Sequence, residues 1–240
     1  MTDQFFCAAD RKRVLNTLQK LSRHHLSGWA LAGRLAVEIH CLRGGLPHSI
    51  RPVNDIDFVA AALDCAPETL SRDFLVRHVH PLDPPGKMIL QLVAAKARLR
   101  IDLFRAYGAI LSRTLSLNSP FGPIELISAE DALARATRLL LDLRLGVPVA
   151  KKHANDCLRL VKIAQTSDAE AAWQDHRAPD HPTTFHQAHA VIQSLIATHA
   201  GLLVTPEYSR DATQICPRCV SMPEFPLADP QLILSLLGYC

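Results

Sequence analysis

Two aspartates one residue apart lie in a short apolar run of the sequence. The run is VNDIDFVA, and its carboxylates belong to Asp55 and Asp57. On a β-strand, alternate side chains point to the same side, so both carboxylates would share one face about 7 Å apart. A magnesium ion between them would relieve their repulsion, because this hard cation favours carboxylate oxygens. A solvated strand edge is the competing explanation, and for an isolated pair of this kind it needs no cation.

A third carboxylate, Asp102, lies on another predicted strand. The segment RLRIDLF alternates charged and apolar side chains, which turns Asp102 away from the side that would enter the core. Beside Asp55 and Asp57 it would complete a site for two cations about 3.5–4 Å apart, which activates a hydroxyl and neutralises charge on a leaving pyrophosphate. The alternative for Asp102 is a surface salt bridge with Arg100 or Arg105.

A glycine turn precedes the aspartate pair. The segment WALAGRLAVEIHCLRGG predicts a short strand, a tight turn at Gly33 and a helix that ends at Gly44. Glycine in such a turn lets the backbone approach a phosphate and exposes amide groups at the N-terminus of the helix. The acidic strand is therefore predicted to follow a strand–turn–helix unit.

The elements that would carry these residues predict a mixed α/β first half. An amphipathic helix opens the chain at DRKRVLNTLQKLSRHHL, and a short helix is predicted at APETLSRDFL. Strands are predicted at DIDFVAA, KMILQLVAA and ARLRIDLFRA, the last two as a hairpin.

The second half of the chain is predicted to be mainly helical. Prolines and a glycine in NSPFGPIELIS indicate a connection, after which Ser128 and Asp131 resemble a capping box that opens a long helix. We therefore predict an α/β core with an N-terminal helix at residues 1–122. A mainly helical region with a Cys-x-x-Cys tail would occupy residues 123–240.

The order of these segments resembles the nucleotidyltransferase fold of the polymerase-beta superfamily, and within it the abortive-infection-type (AbiEii-like) branch. That family has a strand, a Gly-Gly or Gly-Ser turn and a helix, then an Arg-x-x-x-Asp-x-Asp stretch, then a later strand with a third acid. The residues that match the charged positions of this pattern are Arg51, Asp55, Asp57 and Asp102. The resemblance covers roughly residues 25–165.

This resemblance implies metal-dependent transfer of a nucleoside monophosphate from a nucleoside triphosphate to an acceptor hydroxyl of RNA, a protein or a small molecule. Asp55 and Asp57 would hold two Mg²⁺ ions, and Asp102 would share the metal that activates the acceptor or act as general base. The residues it places at the nucleotide are Gly33, Arg34, Arg51 and Lys152. Lys152 and Asp156 are further candidates, because KKHANDCLRL resembles a helix of that branch in which a Lys or Arg precedes an Asp. An ordinary charged helix face is the alternative for both. The resemblance also leaves an antitoxin-like partner protein open.

Two positions depart from the family pattern. Ala32 replaces the usual first glycine of the turn, and Arg34 occupies a position that is often small. Arg34 could contact a triphosphate or obstruct its pocket. The second outcome would describe a non-catalytic nucleotidyltransferase-like module that binds a nucleotide or a partner protein.

The C-terminal sequence CPRC has the spacing of half a zinc site. Cys216 and Cys219 would supply two thiolates, and a tetrahedral zinc site needs two further ligands. These could come from Cys240 and from one histidine among His181, His186 and His189. Redox chemistry, free thiols and a zinc-stabilised interaction protein are the competing explanations.

The composition excludes several classes of protein. Across 240 residues, 26 Lys and Arg face 23 Asp and Glu, and a formal charge of +3 is too mild for a protein that coats nucleic acid by charge alone. No run reaches the roughly 18 apolar residues of a membrane span. Seven scattered cysteines do not form a disulfide framework. P-loop, Rossmann and serine-hydrolase motifs are absent. We therefore expect a soluble cytoplasmic protein without a membrane partner.

Overall fold

The computed structural model describes residues 8–47, 52–205 and 216–239, with side chains described from Asp10 onward. The predicted site residues Arg51 and Cys240 lie outside these ranges. Among the helices within them, none has both the length and the apolar character that crossing a lipid bilayer requires.

Seven α-helices occur in the described part of the chain. Their bounds are Ala8–Leu21 (α1), Gly33–Arg43 (α2), Ala129–Leu140 (α3), Lys151–Leu160 (α4), Thr166–His176 (α5), Phe185–Thr198 (α6) and Pro230–Leu237 (α7). Four of them, α3 to α6, follow one another in the second half of the chain, as its hydrophobic pattern predicts.

Nine β-strands occur in the described residues. Their bounds are Ala30–Leu31 (β1), Asp55–Ala60 (β2), Leu75–Val79 (β3), Met88–Ala94 (β4), Leu99–Arg105 (β5), Leu115–Ser119 (β6), Gly122–Leu126 (β7), Val149–Ala150 (β8) and Leu203–Val204 (β9). Seven form one sheet in the order β3-β4-β5-β2-β1-β7-β6, and β8 pairs with β9. The pairs β2–β5 and β1–β7 are parallel and the rest of the large sheet is antiparallel. The predicted mixed α/β class is confirmed.

The central strand β2 fixes the geometry of the acidic pair. Ile56 and Phe58 are 0% and 4% exposed and enter the core, as the alternation in the sequence predicts. The predicted hairpin is the antiparallel pair β4–β5, and β5 also pairs with β2. The two predicted acidic strands are therefore direct neighbours in the sheet.

A buried ion pair fastens α2, the helix after the glycine turn. Arg159 on α4 donates to the two carboxylate oxygens of Glu38 at 2.9 and 2.8 Å, and Glu38 is buried. His40 Nε2 also lies 2.7 Å from the carbonyl oxygen of Ile127, just before α3. Separating the pair would leave the buried Glu38 charge without a partner, which is costly. These contacts therefore hold α2 in place against the second half of the chain.

Three stretches differ from their predictions. NSPFGPIELIS, predicted as a connection, contains the tight turn of the β6–β7 hairpin and the whole of β7. Ser119 Oγ closes the turn by accepting from Phe121 N and donating to the Gly122 carbonyl oxygen. The half-exposed hairpin lacks the apolar alternation that would reveal it. β3 is not predicted, because a bulge between Val76 and His78 breaks its period of two. In APETLSRDFL, only the 3₁₀ segment Glu68–Arg72 is helical. At Ser128, by contrast, the predicted cap is confirmed, since Ser128 Oγ accepts from Asp131 N at 2.9 Å.

The C-terminal tail, residues 216–239, runs beside the edge strand β3. Val220 N donates to the Val79 carbonyl oxygen at 3.2 Å, and Ala228 N donates to the Val76 carbonyl oxygen at 2.8 Å. Phe225 of this tail is buried in the core. The tail therefore covers backbone groups that an edge strand would otherwise expose.

Candidate functional site

The three predicted carboxylates meet on one face of the sheet. Asp57 lies directly opposite Asp102 in the parallel pair β2–β5, and Asp55 lies opposite Arg100. One oxygen from each of Asp55, Asp57 and Asp102 lies within 4.8 Å of the other two. We call these three residues the acidic cluster. Their placement follows from the period of two on each strand and from the register between the strands.

Burial and mutual repulsion make the acidic cluster unfavourable when its carboxylates are all ionised. Burial, followed by the charges of Asp55 and Asp102, raises the pKa of Asp57 to about 7. Burial also raises the pKa of Asp102 to about 6, against the opposing effect of Arg100. Like charges in a desolvated site favour protonation unless a cation compensates them.

Three nearby cations compensate this negative charge only in part. Arg100 Nη2 donates to Asp55 Oδ2 at 2.8 Å, and the positive charges of Arg135 and Lys152 lower the pKa of Asp57 without cancelling the effect of burial. Carboxylate oxygens in this number and proximity suit a hard divalent cation such as Mg²⁺. The residues present therefore fit the metal that the sequence predicts, and Asp55, Asp57 and Asp102 would be its ligands.

A chain of hydrogen bonds orients Asp102. Gln91 on β4 donates from Nε2 to Asp102 Oδ1 at 2.6 Å, and its Oε1 accepts from Arg77 Nη1 at 2.6 Å. Asp102 and Gln91 are both buried. Residues of β4 and β3 thus contribute to the position of the third carboxylate.

The glycine turn makes close contact with the acidic cluster. Gly33 has a φ of +60°, and a Cβ atom there would lie 1.8 Å from Asp57 Oδ2. Ala32 instead has a φ of −132°, an extended conformation open to any residue, and its N–H donates to the Asp57 carbonyl oxygen at 2.8 Å. Only the second position of the turn therefore requires glycine, and alanine at position 32 leaves the turn intact.

The remaining predicted nucleotide contacts lie around the acidic cluster. Arg34, in the first turn of α2, donates from Nη1 to the Pro52 carbonyl oxygen at 2.7 Å, which directs its guanidinium toward the entry of β2. Lys152 lies in the first turn of α4, within electrostatic reach of Asp57. Asp156 is buried on the same helix, 3.9 Å from an Arg159 guanidinium nitrogen, which identifies it with the packing of α4.

A second group of ligand atoms, the Cys/His cluster, lies at the edge of the sheet. It consists of His78, His80, Cys216 and Cys219, each with one ligand atom within 4.8 Å of the others. The predicted cysteine pair is thus brought together with His78 on β3 and with His80 just after the end of that strand. Within the described residues, His181, His186 and His189 do not belong to this cluster: His181 stacks on Trp173, and the ring of His189 stacks on Phe185.

Burial favours the neutral forms of His78 and Cys219, two members of the Cys/His cluster. Burial lowers the pKa of His78 to about 4, and the neighbouring His80 adds to this effect. Burial and the Cys216 side chain raise the pKa of Cys219 to about 11. Charge repulsion therefore does not oppose the assembly of this cluster, in contrast to the acidic cluster.

Several residues around the two clusters escape prediction from the sequence. Arg100 alternates with Asp102 along β5 and could be found from that spacing, but its partner is Asp55 rather than Asp102. Gln91 lies on β4, whose pairing with β5 the sequence predicts but whose register it does not give, and Arg77 lies on β3, which the sequence does not predict. His78 and His80 carry a signal in retrospect, since their spacing places both imidazoles on one side of a strand.

Neither the protein-family models nor the curated proteins contain a match to this sequence. Among solved structures, the chain is similar to the crystal structure of an antigenic nucleotidyltransferase-like protein from Paracoccidioides brasiliensis, with a TM-score of 0.43 and 16% sequence identity. The match covers 81% of this chain and 95% of that chain. At this level of similarity, a function has to be inferred from the acidic cluster itself.

Proposed function

We propose that this chain is a divalent-metal-dependent nucleotidyltransferase that moves a nucleoside monophosphate from a nucleoside triphosphate to an acceptor hydroxyl. The observation that carries the proposal is the convergence of Asp55, Asp57 and Asp102 on one face of two adjacent parallel strands, with ligand oxygens within 4.8 Å of one another. The motif order places the chain, within this proposal, in the AbiEii-like branch of the polymerase-beta superfamily.

The acidic cluster would hold magnesium. When bound, Mg²⁺ neutralises charge on the triphosphate and activates the acceptor hydroxyl. Asp55 is oriented by Arg100, and Asp102 is oriented by Gln91, so each carboxylate keeps a fixed direction. Because these carboxylates already have fixed directions, less free energy is needed to reorient them when the metal binds and the reaction proceeds.

The reaction forms one bond and breaks another at the α-phosphorus. The acceptor oxygen attacks the α-phosphorus, and the bond from this phosphorus to the oxygen that bridges to the β-phosphate breaks. Pyrophosphate leaves with that bonding pair, and the hydroxyl proton passes to Asp102.

The triphosphate would lie between the start of α2 and the start of α4. Gly33 leaves room beside Asp57 because it has no Cβ, and the first amide groups of α2 are donors for an anion. Lys152 and Arg34 would add positive charge to this position, and Arg51 is assigned to it by the motif match. We assign the choice of acceptor to the helical second half, from which Arg135 and Lys152 reach the cluster electrostatically.

The test is transfer of label from α-labelled nucleoside triphosphates in the presence of Mg²⁺ or Mn²⁺. The acceptors are separate pools of small RNAs, proteins and aminoglycosides. We expect a labelled product that requires the metal and that disappears in the Asp55→Asn/Asp57→Asn double variant. Asp64→Asn is the matched control, because Asp64 is an exposed carboxylate on the segment after β2.

Two outcomes would contradict catalysis by this cluster. Label transfer that survives unchanged in the double variant would place the chemistry elsewhere. Metal-dependent binding of a triphosphate without transfer to any pool would instead support the non-catalytic nucleotide-binding module.

A further inference from the structure

The Cys/His cluster joins two segments that are far apart in the sequence. His80 Nε2 lies 3.0 Å from Cys216 Sγ, and His78 Nδ1 lies 3.2 Å from Cys219 Sγ. In a tetrahedral zinc site, bond lengths of about 2.3 Å to sulfur and 2.0–2.1 Å to nitrogen separate such atoms by about 3.5 Å. The four side chains are therefore almost at the spacing of a complete ligand set.

The backbone of both segments holds the cluster in place. His78 lies on β3, and His80 follows the end of this strand, where its N–H donates to the Ile89 carbonyl oxygen at 2.8 Å. Because they are two residues apart in extended backbone, their imidazoles lie on the same side. Cys219 N donates to the Cys216 carbonyl oxygen at 3.4 Å and forms a tight turn. Val220 N pairs with the Val79 carbonyl oxygen, directly beside the four ligands. Arg218, inside the turn, pairs with the buried Asp83. Both segments of the cluster are thus held in place by contacts that do not involve the four ligand side chains.

We propose that His78, His80, Cys216 and Cys219 bind one Zn²⁺ ion in a tetrahedral structural site. Two thiolates and two imidazoles are a donor set that zinc favours, and Mg²⁺ does not. Four protein ligands leave no open position for a substrate, which distinguishes a structural site from a catalytic one. This proposal is independent of the proposed transferase activity.

The zinc site fastens the C-terminal tail to the edge of the sheet. The tail adds Phe225 and Ile233 to the buried apolar residues, and the carbonyl oxygen of Leu236 at the end of α7 accepts from Arg98 Nε at 2.8 Å. With the ion bound, these contacts form as one unit with β3. The neighbouring residue Arg77 contacts Gln91, so the fastened strand also supports the hydrogen bonds that orient Asp102.

The test is the metal content of the full chain, purified without chelator and measured by mass spectrometry of the elements. We expect one zinc per chain. Cys216→Ser and His80→Ala would lose it, whereas Cys65→Ser and His25→Ala, outside the cluster, would keep it. If a ligand variant fails to fold, the wild-type chain is stripped with a chelator and reconstituted with Co²⁺ alone, whose absorption bands report tetrahedral coordination with thiolate ligands.

Three results would overturn the proposal. The first is a chain without stoichiometric zinc that also gives no tetrahedral Co²⁺ spectrum. The second is a stoichiometric metal that the ligand variants retain. The third is a Cys216–Cys219 disulfide, seen in the intact mass under non-reducing conditions as the loss of two hydrogens, which would assign these thiols to redox chemistry.

Discussion

The acidic cluster and the Cys/His cluster lie in one row across the same sheet and are built from opposite chemistry. The row of residues that pair from strand to strand is Asp57, Asp102, Gln91 and His78. At its central end, the carboxylates of the acidic cluster repel one another when they are ionised, and a cation would relieve this repulsion. At its outer end, two thiols and two imidazoles come together, and burial favours the neutral forms of His78 and Cys219.

The difference teaches what each cluster can do. Repelling carboxylates that Arg100 compensates only in part favour the binding of a cation, as the proposed function requires. Cys216 and Cys219 lie far from His78 and His80 in the sequence. An ion bound by all four residues therefore links two distant segments of the chain, and its loss would separate them. One cluster is thus suited to turnover and the other to stability.

The largest expected effect is the loss of a zinc ligand. Cys219→Ser should lower the free energy of unfolding by about 4 kcal/mol, since the loss of a structural metal is among the most damaging single changes. Urea denaturation followed by circular dichroism measures it, with Cys65→Ser as the control. Equal stability of the two variants would mean that the tail needs no ion, and the contrast between the clusters would disappear.

The next effect concerns the glycine turn. Gly33→Ala places a Cβ against Asp57 Oδ2 at a φ of +60°, and we expect a loss of about 3 kcal/mol from the positive φ and the overpacking together. Gly45→Ala has a similar φ of +70° but nothing within 4 Å of the added atom, so its cost should be about 1 kcal/mol. The same denaturation measurement compares them. Equal losses of stability in the two variants would show that the backbone at Gly33 is not in close contact with Asp57.

Replacing a carboxylate of the acidic cluster should have a smaller effect of the opposite sign. Asp57→Asn removes a half-buried charge that Asp55 and Asp102 repel, so the metal-free chain should gain about 1–2 kcal/mol of stability. Saturating Mg²⁺ should stabilise the wild type and not the variant, which thermal unfolding with and without the ion measures. A variant that is less stable than the wild type without metal would mean that Asp57 is already compensated.

The remaining effect is a change of stability with pH. Since the pKa of Asp57 is raised to about 7 from about 4 in the unfolded chain, the folded state binds its proton more tightly. The contribution of Asp57 is therefore most favourable below pH 4 and is lost as pH rises to about 7. We expect the difference in unfolding free energy between Asp57→Asn and the metal-free wild type to grow across this range. A constant difference would contradict the raised pKa.

The sequence predicts the centre of the molecule better than its edges. Asp55, Asp57 and Asp102 lie on strands with clear alternation, and Gly33 lies in a recognisable turn, so local patterns suffice to bring them together. β3 is hidden by the bulge beside Arg77, and without that strand His78 cannot be placed opposite a tail more than a hundred residues later. Half of the zinc site was therefore visible as Cys-x-x-Cys, while its histidines depended on a strand pairing that no local pattern gives.

The measurement that tests the central claim most directly is a crystal structure of the chain with a non-hydrolysable nucleoside triphosphate and Mn²⁺, which the anomalous signal locates. The account predicts manganese between Asp55, Asp57 and Asp102, with the triphosphate beside Gly33. A triphosphate bound elsewhere, or Arg34 filling the space beside Gly33 with no metal at the three carboxylates, would contradict it.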